Sequence, residues 1–160
     1  MANGVSQKNH FALLDAWEII NKNYKLPLTL HLTIPENFPH IIRRITELKT
    51  DNVSVINHGF CTVQKLESLY KKCKFFVNPS LAESFGLPII EAAEAGCEII
   101  SADLPYIYDI VNPLATFDPQ NKLDIAKTVI AAYNDDFQNK TTLKVSDDIE
   151  KLINLLINNV

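Results

Sequence analysis

Residues 75–95 read Phe75-Phe76-Val77-Asn78-Pro79-Ser80-Leu81-Ala82-Glu83-Ser84-Phe85-Gly86-Leu87-Pro88-Ile89-Ile90-Glu91-Ala92-Ala93-Glu94-Ala95. The first four residues favour an extended chain, and Asn78-Pro79-Ser80 ends the run because proline cannot donate to a sheet ladder. Pro88 suits the first position of a helix, where its missing N–H costs nothing, and the residues after it are good helix formers. The stretch is therefore a strand, a loop over Leu81–Leu87, and a helix over Pro88–Ala95.

Working outward, the same alternation repeats. Phe11, Leu13, Leu14, Trp17 and Ile20 recur at helical spacing, which predicts a helix over Asn9–Asn23. A strand is expected over Leu28–Ile34, stopped by Pro35, then a helix marked by Ile41, Ile42, Ile45 and Leu48. A strand over Val53–Ile56 and a helix through Leu66, Leu69 and Tyr70 lead into the quoted segment. Beyond it come a strand at Glu98–Ser101, a helical turn near Tyr106–Val111 and a strand at Leu114–Phe117. Helices over Ile125–Tyr133 and Asp147–Asn158 follow, with Asp135–Asp148 a loose polar connection before the last. Such alternation with short connections predicts an α/β, doubly wound, Rossmann-like parallel sheet with helices on both faces. Residues 1–140 would form that domain, and residues 141–160 a helix packed on it. No strand precedes the first helix unless Ala2–Val5 supplies a stub, so a longer polypeptide is expected.

Composition bounds the partners. With 160 residues, 47% hydrophobic, the chain can bury the core of one domain. A formal net charge of −4 opposes a nucleic-acid surface. No apolar run approaches the roughly 18–20 residues of a membrane span. Cys61, Cys73 and Cys97 are odd in number and widely spaced, which reads as reduced thiols in a cytoplasmic setting. No residues show metal-ligand spacing, so neither metal nor cofactor is expected.

Chemistry concentrates in the quoted loop. A helix that starts at the carboxyl end of a parallel strand offers free N–H groups, at Gly86, Leu87 and the next residues, to an anion. Its dipole adds roughly 0.3–1 kcal/mol. Glu83 before the helix and Glu91 one turn inside it bracket that site, and carboxylates suit hydroxyl groups. A ligand with a central diphosphate and hydroxyls on either side satisfies all three features, and a nucleoside diphosphate sugar is such a molecule.

Glu83 and Glu91, within Pro79–Ala92, match the E-x7-E motif, and this segment resembles GT-B-fold retaining glycosyltransferases, especially family 4 (group 1). The similarity continues through Ala95-Gly96-Cys97 and Ile99–Pro105. It also covers Lys8-Asn9-His10, Leu14–Trp17 and Phe117-Asp118-Pro119, so that it spans about Asn3 to Tyr133. The resemblance implies the C-terminal donor-binding half of a GT-B fold. Glu83 would then bind donor-sugar hydroxyls near the reacting centre, and Glu91 the ribose. Amides from Phe85, Gly86 and Leu87 would face sugar and diphosphate, with Ser84 also among the donor-binding residues and Lys8 neutralising the diphosphate as it leaves. The turn containing His58, Gly59 and Phe60, with the end of the Ile34-Pro35 strand, falls where the base is usually contacted. The reaction implied is metal-independent transfer with retention, from a UDP-, GDP- or ADP-sugar to a glycan or lipid-linked acceptor in surface polysaccharide synthesis. The acceptor domain is expected elsewhere in a longer protein, with peripheral membrane association of the whole. This fragment alone is expected to bind donor weakly and transfer little.

One departure stands out: family members often carry arginine where Asn3 stands, five residues before Lys8. Other readings compete. A loop charge and a solvated helix charge explain Glu83 and Glu91 better than a site does when the flanking match is ignored. A non-catalytic nucleotide-sugar module, or a GT-B-fold sugar-nucleotide epimerase, would share the donor site. A dinucleotide-binding domain would need a G-x-G-x-x-G turn that this sequence lacks, and a response-regulator receiver an acidic pocket after its first strand. His31, between Leu30 and Leu32, reads as structural, and Arg43-Arg44 as a solvated face.

Overall fold

A computed structural model describes residues 6–50 and 53–145. Helix α1 spans His10–Ile19 and runs on into a π-helical turn at Ile20–Tyr24. Of the expected stripe it buries Leu13, Leu14, Trp17 and Ile20, whereas Phe11 is exposed. After it come β1 Leu30–Leu32, α2 Pro39–Thr50, β2 Val55–Asn57, α3 Val63–Tyr70, β3 Phe75–Asn78 and α4 Leu87–Glu94. The remaining elements are β4 Glu98–Ala102, α5 Pro105–Ile110, β5 Val111–Asn112, β6 Ala115–Phe117, α6 Lys122–Tyr133 and β7 Thr142–Leu143.

The parallel strands form two ladders. β1 pairs with β2, and β3–β4–β6 form the other, with Val77 opposite Ile100 and Ile100 opposite Ala115. Side chains alternate across β3 and β4, as the two-residue strand period requires. Phe75, Val77, Ile100 and Ala102 join one core with α1, α2 and α6, whereas Phe76 and Ile99 join a second with α3, α4 and α5. Helices thus cover both faces of the larger ladder. The smaller one departs from the expected pattern. Leu30, Leu32 and Val55 are buried on one face, but His31 is exposed and Ile56 is 43% exposed on the other. Helix α3 packs beside α4 and leaves that face open.

Several boundaries also move. The strand expected over Leu28–Ile34 is three residues long, because the Asn57 side chain takes over the backbone of Ile34. Its Nδ2 donates to the Ile34 carbonyl (2.9 Å), and its Oδ1 accepts from the Ile34 N–H (2.8 Å). The strand expected at Val53–Ile56 begins at Val55 and reaches Asn57. Pro88 is the second helical residue, since α4 starts at Leu87 with Gly86 as its N-cap.

Asp135–Asp148 is not loose throughout. Thr142–Leu143 pairs antiparallel with β5, and Thr141 Oγ1 accepts from the Ile99 N–H while its own N–H donates to Glu98. This short strand lies within the stretch from residue 141 onward that was expected to be helical. The stub at Ala2–Val5, Asn3 and the helix at Asp147–Asn158 lie outside the described residues.

Candidate functional site

The carboxyl end of β3 carries the loop that the sequence singles out. Asn78, Pro79 and Ser80 are buried where the strand ends, and the chain then surfaces at Leu81 and Ala82. Gly86 turns it into α4 with φ +64°, the left-handed region where a side chain is strained. A Cβ there would also strike Ile110 of α5.

Helices α1, α4 and α5 begin without a capping side-chain bond, whereas α3 and α6 begin with one. Thr62 caps α3 by accepting from Lys65 N–H, and Asn121 caps α6 by accepting from Leu123 and Asp124. Gly86 has no side chain with which to cap α4. The Gly86 carbonyl takes the N–H groups of Ile89 and Ile90. Among the described residues, the N–H groups of Phe85, Gly86 and Leu87 have no partner. Ser84, Phe85 and Leu87 are exposed, with Phe85 at 78%. The mouth of α4 is therefore open and has the polarity of a helix N-terminus, which suits an anion.

Lys8 and Glu83 meet at its edge. Lys8 Nζ donates to Glu83 Oε1 at 2.6 Å, although 75 residues separate them in sequence. Glu83 is 10% exposed at its side chain and Lys8 43%, so the carboxylate sits in the wall and the ammonium reaches in from solvent. The turn carrying Lys8 is fastened at two points. The Leu81 N–H donates to the Gln7 carbonyl (2.7 Å), and Asn9 Nδ2 donates to the Pro119 carbonyl (2.8 Å). Asn9 adopts a left-handed conformation, φ +52°, which asparagine tolerates better than most residues. Next in line, His10 has a buried Nδ1 with no partner among the described residues. Burial, and then the Lys8 ammonium, push its pKa down.

Glu91 is exposed on α4 and faces the Tyr70 phenol at the end of α3. Burial, followed by the charge of the nearby Glu91 carboxylate, pushes Tyr70 up to about 12, so its hydroxyl keeps its proton.

Gly59 and Phe60 follow β2, at the carboxyl end of the smaller ladder. Gly59 has φ +64°, and Phe60 is 83% exposed. Beside them His58 meets His31, with Nε2 and Nδ1 3.0 Å apart and the rings parallel to within 11°. Burial, then the neighbouring His31 and Lys65, lower the pKa of His58. The structure thus joins Lys8 to Glu83, and puts Ser84, Phe85, Gly86 and Leu87 at one helix mouth with Glu91 a turn below. Gly59 and Phe60 stand at a separate strand end, with no hydrogen bond to that group among the described residues.

Comparison with known proteins places this arrangement. The profile of a family described as "Glycosyl transferases group 1" matches residues 1–151. The chain belongs to the group 1 glycosyl transferases. A serotype-specific mannosyltransferase, WbdA, of Escherichia coli is 30% identical to it over 134 residues. That match takes in 81% of this chain but 16% of the relative, so the domain corresponds to a small part of a much longer protein. Among solved structures, the C-terminal domain of the group 1 family protein LpcC from Francisella tularensis superposes with a TM-score of 0.66 at 21% identity. The match covers 82% of this chain and 71% of that one. The pneumococcal O-GlcNAc transferase GtfA, solved with UDP and GlcNAc, gives a TM-score of 0.68 at 18% identity, covering 82% of this chain and 27% of that one. The fold is therefore that of the C-terminal domain of GT-B glycosyltransferases, as the motif implied.

Sequence reasoning missed three arrangements: the approach of Glu91 to Tyr70, the His31–His58 pair, and a polar cluster of buried Asn78 and Ser101 with half-buried Tyr106. None has a periodic signal, because each depends on two elements meeting in a particular register. Among the described residues no group of three or more His, Cys, Asp or Glu side chains gathers as metal ligands, and no helix is long and apolar enough to cross a membrane.

Proposed function

We propose that this domain holds a nucleoside diphosphate sugar at the mouth of α4 and serves the transfer of that sugar to a glycan or lipid-linked acceptor. Lys8 Nζ bonded to Glu83 Oε1 beside the uncapped amides of Phe85, Gly86 and Leu87 is the observation that carries the reading. A cation, a wall carboxylate and free N–H donors at one strand end suit a diphosphate next to a polyhydroxylated ring. In this reading Lys8 and the amides take the diphosphate, Glu83 the sugar hydroxyls, and Glu91, near Tyr70, the ribose. Gly59 and Phe60 approach the base.

As the glycosidic bond to the diphosphate breaks, negative charge grows on the leaving oxygens and positive charge on the sugar ring. Fixed donors stabilise the first without reorganising, and Lys8 adds a full charge. The proposed outcome is retention of the anomeric configuration with no metal taking part. Neither glutamate acts as the acid or nucleophile of a hydrolase. The acceptor would be bound by parts of a longer protein, and the chain alone would transfer little. WbdA is named as a serotype-specific mannosyltransferase, which favours a mannosyl donor and a surface polysaccharide product. A setting at the cytoplasmic face of the membrane fits that product.

The test is titration of the 160-residue chain with UDP-, GDP- and ADP-sugars while amide resonances are followed. The expected response is at Phe85, Gly86, Leu87 and Glu91, with one base preferred. No response there at millimolar nucleotide would sink the proposal.

A further inference from the structure

We infer that Tyr106 is a positioning residue for the donor sugar, its hydroxyl setting where the Glu83 loop stands relative to the mouth of α4. The inference rests on the donor-site reading above. Tyr106 lies in the first turn of α5, just after β4, and touches none of the groups assigned to ligand. Its hydroxyl donates to the Ser80 carbonyl at 2.7 Å and accepts from Asn78 Nδ2 at 2.9 Å. Asn78 Nδ2 also donates to Ser101 Oγ (3.2 Å), which donates in turn to the Asn78 carbonyl (3.4 Å). Asn78, Ser80 and Ser101 are buried, so these bonds exchange poorly with water.

The geometry matters because few bonds hold that turn: the Ser101 hydroxyl takes the Asn78 carbonyl, Tyr106 the Ser80 carbonyl, and Gln7 the Leu81 N–H. Asn78 is the last paired residue of β3, opposite Ser101, and Pro79 has no N–H to continue the ladder, so the chain leaves the sheet at Pro79-Ser80. On one side the turn hangs from Tyr106. On the other, the Leu81 N–H is bound to the Gln7 carbonyl, next to Lys8. Glu83 follows two residues later, close enough for its charge to be felt at the Tyr106 phenol. At the far end of the loop Gly86 rests against Ile110, the last residue of α5. The loop is therefore moulded on α5 at both ends, with Tyr106 the polar anchor and Ile110 the apolar one. A shift of the Tyr106 anchor displaces the Glu83 carboxylate. Bonds from a carboxylate to ring hydroxyls weaken steeply with distance and angle. A diphosphate held by the long Lys8 side chain and several amides tolerates the same shift.

The test is Tyr106→Phe, which keeps the ring and deletes the hydroxyl. A nucleoside diphosphate and its sugar derivative are each titrated against wild type and variant, and the ratio of the two Kd values is compared. The preference for the sugar derivative should fall by about three- to tenfold in the variant, with the Kd of the nucleoside diphosphate itself within about twofold of wild type. The amides of Leu81, Ala82 and Glu83 should also move in the ligand-free variant. As a control, Tyr108→Phe removes a hydroxyl bound to Asp103 on the same helix and should leave the ratio alone. A lowered Tm with an unchanged ratio would show a merely structural role and overturn the inference. A wild type silent to every nucleotide overturns the donor reading and this inference together, whereas binding with an unchanged ratio overturns this inference alone. If the variant does not fold, 3-fluorotyrosine at position 106 gives a second readout. Its fluorine resonance should move further on saturation with the sugar nucleotide than with the nucleoside diphosphate, and equal movement overturns the inference.

Discussion

Replacing Glu83 by glutamine separates two roles that the Lys8 contact ties together. Without ligand the ammonium and the carboxylate neutralise each other at 2.6 Å. Coulomb's law at that spacing gives about 1.6 kcal/mol in bulk water. Ordering two side chains, with Lys8 well exposed, reduces pairs of this kind to about 0.2–1 kcal/mol. A diphosphate arriving at Lys8 must loosen that pair and tolerate the nearby carboxylate. Glutamine keeps the shape and removes the charge, so a nucleoside diphosphate without sugar should bind Glu83→Gln tighter by about 1.5- to 5-fold. The sugar nucleotide should behave in the opposite way. It loses charge-assisted bonds to ring hydroxyls worth about 1.5–3 kcal/mol, which outweighs the gain at Lys8. Isothermal titration of both ligands on wild type and variant reads the two effects separately. At higher salt the gain for the nucleoside diphosphate should shrink, since the exposed partner is screened. Equal weakening of both ligands would refute the reasoning, because Glu83 would then neither restrain Lys8 nor recognise the sugar.

Three further outcomes follow from the same geometry. Glu91→Ala should weaken a nucleoside diphosphate by roughly tenfold or more while leaving inorganic pyrophosphate unaffected, because only the ribose contact is lost; titration with both ligands checks it. Gly86→Ala should cost about 1–2 kcal/mol in urea unfolding from its left-handed backbone alone, and more if Ile110 cannot yield. The same variant should blunt nucleotide-induced shifts at Leu87. His10 has a folded pKa below its ordinary 6.5, so the unfolded chain binds a proton that the folded one refuses. Stability is then full above about pH 6.5 and falls on acidification below it. Urea midpoints at pH 7.5 and 5.5 should show that fall in wild type, and a smaller one in His10→Gln.

Much of the fold was legible because the strands of the larger ladder are apolar runs closed by breakers. Phe75–Asn78 ends at Pro79, and Glu98–Ala102 is buried almost throughout, which is how a strand covered on both faces reads. Where the reading erred, side chains had replaced ladder bonds. Leu28–Ile34 looks like a seven-residue strand, yet Asn57 satisfies the Ile34 backbone from the next strand and the ladder stops at Leu32. Likewise Thr142–Leu143 carries no apolar signal. It is held by Asn112 Nδ2 donating to Thr142 Oγ1 and by Lys144, whose N–H donates to the Ile110 carbonyl and whose Nζ donates to that of Tyr108. Such bonds depend on which residues tertiary packing brings opposite each other, and composition carries no trace of that.

The candidate site divides along the same physical line. Glu83, Gly86 and Glu91 lie within nine residues of one strand–loop–helix, so their relation is local and the sequence displays it. Lys8 comes from 75 residues away, and only the family resemblance connected it to Glu83 before the structure did. Tyr106 and Tyr70 are more distant in meaning than in space, since an aromatic on an amphipathic helix reads as core whether or not its hydroxyl is used. Yet one functional cue is written in the capping residues themselves. Helices α3 and α6 begin with Thr62 and Asn121, whose side chains consume their first amides. Helix α4 begins with Gly86, which consumes none, followed by Leu87 and then Pro88, which has no amide to offer. A helix that served only to cover the sheet would gain about 1 kcal/mol from a capping side chain there. Helices α1 and α5 leave that gain unused as well, so the missing cap marks a site only in company: at α4 it falls on a left-handed glycine next to the Lys8–Glu83 pair, which is intelligible if the free amides of Phe85, Gly86 and Leu87 are kept for a ligand.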